Sequence, residues 1–63
     1  MTLFATIENA RKSALRNCTT QYVFKQNGEY QYAEREPQNG RLIGEVHVHS
    51  THGSTMYISA AER

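Results

Sequence analysis

The apolar residues of this 63-residue chain change their period part-way along. Up to about Cys18 they recur at steps of three and four. From Thr20 onward they alternate, and Gly-containing turns cut the alternation into short runs. The first period belongs to a helix with one buried side, the second to strands with one buried face. The switch predicts an α+β domain, one N-terminal helix packed on a four-stranded antiparallel β-meander in the order 1-2-3-4.

A chain of this length makes one domain, residues 1–63, and buries only about 60% of the surface its unfolded form exposes. Its stability is therefore marginal. The one cysteine, Cys18, rules out an internal disulfide framework and fits a reducing compartment. It reads as a small apolar residue near the helix end, the alternatives being a reactive thiol or an intermolecular bridge. Small domains without staples often oligomerise, so a homodimer or a larger obligate partner is expected. No signal-peptide pattern opens the chain, and no run approaches the roughly 18 apolar residues of a membrane span. A cytoplasmic protein that avoids membranes is the expectation.

Net charge is +1 but uneven. Residues 1–28 carry Arg11, Lys12, Arg16 and Lys25 against Glu8, or +3; residues 29–63 carry three arginines against five glutamates, or −2. A basic helix thus adjoins a mildly acidic sheet.

In the helix, Thr2 is the expected N-cap. Leu3, Phe4, Ile7, Ala10, Ala14, Leu15 and Cys18 form the apolar stripe, with Ala10 and Ala14 allowing close approach. Asn17 is expected to adopt the left-handed conformation that ends it. In the first hairpin, a two-residue Asn27-Gly28 turn pairs Phe24 with Gln31 and spreads the aromatic residues over both faces. A three-residue Gln26-Asn27-Gly28 loop pairs Phe24 with Tyr30, Tyr22 with Tyr32 and Lys25 with Glu29. Because a one-residue slip turns every side chain over, the aromatic pattern favours the longer loop. Pro37 and Gly40 mark the next break, and a third strand runs from Arg41 to about Ser50. The Thr51-His52-Gly53 loop is expected to pair Val48 with Met56 and Val46 with Ile58. This register places Tyr22, Phe24, Tyr30, Tyr32, Leu42, Val46, Val48, Met56 and Ile58 beneath the helix, with Tyr32 filling the space at Gly44.

The opposite face is then left uncovered, carrying Val23, Ala33, Thr55 and Ser59 among polar groups. Its expected partner-binding residues are Lys25, Glu29, Ile43, His47, His49 and Tyr57, with Tyr57 and Ile43 as anchors and Lys25 and Glu29 as rim charges. Glu29 is expected to meet His47, Ala33 to meet Ile43, and His47 to lie opposite Tyr57. The leading function is a protein-binding module rather than an enzyme. No hydroxyl, imidazole and acid come together in sequence as a nucleophile triad, and no phosphate-cradling glycine loop occurs. An alternative is a nucleic-acid binder using Arg11, Lys12 and Arg16 on the helix against phosphates. A second alternative is a metal-binding protein. His47 and His49 point the same way from one strand, roughly 7 Å apart, and need a third ligand from Glu29, Glu45 or His52. No cofactor is expected.

In layout the chain resembles the short accessory proteins of phages and other mobile elements, which often combine a small helix with a meander of Tyr-rich strands and Gly turns. That resemblance rests on organisation, so it transfers no functional residue. It implies stoichiometric binding to a host protein, as in inhibitors of defence systems such as anti-CRISPR proteins.

Overall fold

A computed structural model of the chain describes residues 2–49 and 53–60. It contains one helix, α1 (Leu3–Asn17), and four strands: β1 (Gln21–Gln26), β2 (Glu29–Ala33), β3 (Arg41–His49) and β4 (Ser54–Ser59). The layout is α+β, with all strand pairs antiparallel. The strand order is β2-β1-β3-β4, not a meander. No helix among the described residues is long and apolar enough to cross a membrane.

The helix begins as its sequence dictates. The Thr2 hydroxyl accepts a hydrogen bond from the Ala5 amide at 3.1 Å, satisfying a donor that the first turn otherwise leaves open. It ends one residue later than expected, with Cys18 rather than Asn17 in the left-handed conformation, at φ 53° and ψ 42°. The buried line is Thr6, Ala10 and Ala14, one residue per turn. Thr6 can lie in the core because its hydroxyl donates to the Thr2 carbonyl at 2.9 Å. Leu3 and Ile7 pack beside that line, whereas Phe4 and Leu15 face outward at 74% and 41% exposure and Cys18 is also exposed. Three small side chains in a row bring the helix axis close to the sheet.

Two register differences decide which side chains the helix covers. Asn27 and Gly28 both have positive φ, 53° and 79°, the signature of a two-residue type I′ turn. Gln26 therefore pairs with Glu29, Lys25 with Tyr30, Phe24 with Gln31 and Tyr22 with Ala33. At the other hairpin His49 pairs with Ser54, Val48 with Thr55 and Val46 with Tyr57. The connection there is four residues long, and the predicted details of its Thr51-His52 portion lie outside the described residues. Each hairpin is offset by one from the sequence expectation. Strands β2 and β3 keep their expected faces, while β1 and β4 are turned over.

The core beneath α1 consists of Val23 and Val46, fully buried against Ala10 and Ala14 and ringed by Leu3, Ile7, Tyr32, Ile43, Val48 and Tyr57. Val23 and Tyr57, expected on the uncovered face, are thus on the helix side. Tyr22, Phe24, Met56 and Ile58 alternate with them and lie on the opposite side, so the four rings flanking the first turn are split between faces. A bulge in β3 adds a further exchange. Val23 pairs with Gly44 and Phe24 with Leu42, leaving Ile43 as the extra residue. Ile43 packs on the core and Leu42 joins Phe24 on the other face. The ring over Gly44 belongs to Tyr57, not Tyr32; a Cβ on Gly44 would stand 2.6 Å from its Cζ.

The physical reason for these differences is the position of β1. Because β2 and β3 flank it, the segment from 34 to 40 must travel back past β1 before β3 can start. Its end lies against Phe24. A Cβ on Gly40 would be 2.9 Å from the Phe24 ring and 3.4 Å from Pro37. Phe24 is only 7% exposed although the helix lies on the other side. A central strand covered on both faces buries consecutive apolar residues, here Val23 and Phe24.

Candidate functional site

The helix covers one face of the sheet and the crossover covers the Phe24 end of the other. What remains of that second face is the open face. The paired registers place Ala33, Tyr22, Glu45 and Ile58 in one row across all four strands. The next row sets His47 beside Met56. Met56 is 56% exposed, and Tyr22, Leu42 and Ile58 are half-buried. Three apolar side chains, Tyr22, Ile58 and Met56, thus surround a carboxylate and an imidazole.

The two polar groups are ordered. His47 Nε2 stands 3.3 Å from Glu45 Oε2, and His47 Nδ1 stands 3.4 Å from Thr20 Oγ1. A neutral ring that donates from Nε2 to the carboxylate and accepts at Nδ1 from the hydroxyl satisfies both contacts. The connectivity is that of a hydroxyl, imidazole and acid, but the separations exceed those of strong hydrogen bonds. The chain fixes the imidazole in place. Glu45 is the better buried member, its side chain 13% exposed against 40% for His47.

Of the six residues expected to share a contact face, Glu29, His47 and His49 lie on the open side. Lys25, Ile43 and Tyr57 do not. Lys25 alternates onto the helix side, where its ammonium sits 5.1 Å from the centre of the Tyr30 ring. Ile43 and Tyr57 pack on the core. Glu29 pairs with Gln26 rather than standing opposite Lys25, and β1 separates it from His47. Ala33 meets Tyr22 rather than Ile43, and His47 lies opposite Met56 rather than Tyr57. Met56, Ile58 and Tyr22 are the open-face residues that sequence reasoning assigned to the core. The uninterrupted run Tyr22-Val23-Phe24 was the signal that β1 is covered twice.

His47 and His49 do share one face, two residues apart. No cluster of three or more His, Cys, Asp or Glu side chains able to hold a metal occurs among the described residues. His52, one candidate third ligand, lies outside them.

The basic helix residues are also separated. Arg11 pairs with Glu8 at 3.3 Å, both side chains 42% exposed, a surface pair contributing about 0–1 kcal/mol. Lys12 and Arg16 point elsewhere. With Asn9, Ser13 and Asn17 they line an open groove between α1 and β2, closed on the strand side by Tyr32.

No family model, curated protein or solved structure matches this chain.

Proposed function

We propose that the protein is a small binding module that engages a protein partner through the open face of its sheet. The observation supporting this reading is the cluster of Met56, Ile58 and Tyr22 around the ordered Glu45–His47 pair. Apolar groups set side by side lose contact with water when a partner covers them, whereas isolated ones add little. Interfaces commonly combine such a centre with a few oriented polar groups that fix register. The proposed contact set is therefore Tyr22, Glu45, His47, Met56 and Ile58, flanked by His49. Lys25, Ile43 and Tyr57 have no part in it. The proposed mode is stoichiometric occupation of the partner rather than chemistry. A host protein complex is the first partner class to test.

Replacing Met56 and Ile58 together with Glu should abolish co-purification with the partner, and any self-association, while circular dichroism remains unchanged. Sedimentation velocity reads the self-association directly. A variant that folds and still associates as the parent does would refute this use of the face.

A further inference from the structure

We infer that the groove between α1 and β2, on the opposite side of the molecule, binds single-stranded nucleic acid. Three observations support this, two in the groove and one beside it. Lys12 and Arg16 are one turn apart on the helix and both line the groove, with no carboxylate among its lining residues. Tyr32 packs on the core and also borders the groove. Tyr30, two residues along the same face of β2, carries the Lys25 ammonium 5.1 Å from its ring centre. Along that face of β2, Tyr32 stands beside Lys12 and Arg16, and Tyr30 carries Lys25, so cations and aromatic rings alternate.

That alternation suits a flexible phosphodiester strand. Its phosphates take the cations, and its unstacked bases can lie on the tyrosines. A duplex keeps its bases stacked and offers this groove only phosphates. Asn9, Ser13 and Asn17 also line the groove, Asn17 Nδ2 donating to Ser13 Oγ at 3.4 Å. On binding, Lys25 exchanges the Tyr30 ring for a phosphate. An exposed cation–ring contact is worth less than a stacked base, so the exchange favours the complex. Arg11 pairs with Glu8 and does not line the groove.

The test is fluorescence anisotropy of the full chain with a labelled oligothymidylate of about 12 nucleotides, alongside a hairpin duplex of similar length. Two or three phosphate contacts predict that affinity falls about 10- to 40-fold between roughly 25 and 150 mM salt. Lys12→Glu with Arg16→Glu should remove binding. Tyr32→Leu should weaken it about five-fold or more, Tyr32→Phe should retain it, and the oligonucleotide should quench the tyrosine fluorescence of the parent protein. The open-face variant, with Met56 and Ile58 changed to Glu, should bind the oligonucleotide normally, which separates this site from the one proposed for a protein partner. The inference is overturned if the parent protein fails to bind at low salt. It is equally overturned if tyrosine fluorescence is unquenched while the duplex binds as tightly as the single strand, since that is attraction to any polyanion. Capture of a protein through Lys12 and Arg16 without oligonucleotide binding overturns it as well.

Discussion

Cys18 occupies a backbone conformation that glycine adopts without steric cost. At φ 53° its Cβ approaches the following carbonyl, a strain of about 1–2 kcal/mol for an L-residue. Its side chain is exposed, with the thiol 4.0 Å from the Leu15 carbonyl. Little is therefore lost by removing it. Cys18→Gly should stabilise the domain by about 0.5–1 kcal/mol, the relief of strain being partly offset by the freer unfolded chain. A higher urea midpoint at unchanged slope would show this. Cys18→Val, β-branched at the same φ, should lower the midpoint. The N-terminal cap was legible because Thr2 precedes the apolar period directly. The C-terminal cap was not, because Asn17 and Cys18 stand side by side and propensity favours the wrong one.

Among the elements, β1 governs the rest. The segment from 34 to 40 is the device that seals its second face, and Gly40 lies directly against the Phe24 ring. Gly40→Ala adds a methyl 2.9 Å from the Phe24 ring and 3.2 Å from the Lys25 carbonyl. It should cost about 1–3 kcal/mol, read as a lower urea midpoint, without changing the helix content. The elements themselves could be read from the period change, and the Gly turns gave their approximate ends. Their faces could not, because aromatic alternation fixes a face only where a strand has one wet side, and β1 has none at Phe24. Tyr22 and Phe24 alternate as well on a face covered by a loop as on a face covered by a helix. The Asn27-Gly28 turn chemistry, which favours two residues, was the more reliable local signal. The bulge at Ile43 left no mark in the pattern, since Leu42 and Ile43 are both apolar and adjacent. Of the expected contact residues, the two histidines kept their face because β3 kept its register above the bulge.

At the scale of the molecule, the helix and the crossover divide the labour of covering a sheet that neither can cover alone. The proposed protein-binding face and the proposed nucleic-acid track consequently lie back to back, separated by the thickness of one sheet. Independent substitutions on the two sides should not influence each other's readout beyond their shared effect on stability.

The central strand also has a consequence for how the chain comes into being. Its second neighbour is β3, and Gln21 finds its partner only at Val46. While the polypeptide is growing, Val23 and Phe24 belong to a ribbon with one raw flank until β3 has been added as far as Val46. A fragment ending at Gly40 should therefore fail to give a cooperative melting transition and should bind a hydrophobic dye, whereas the full chain melts cooperatively and does not.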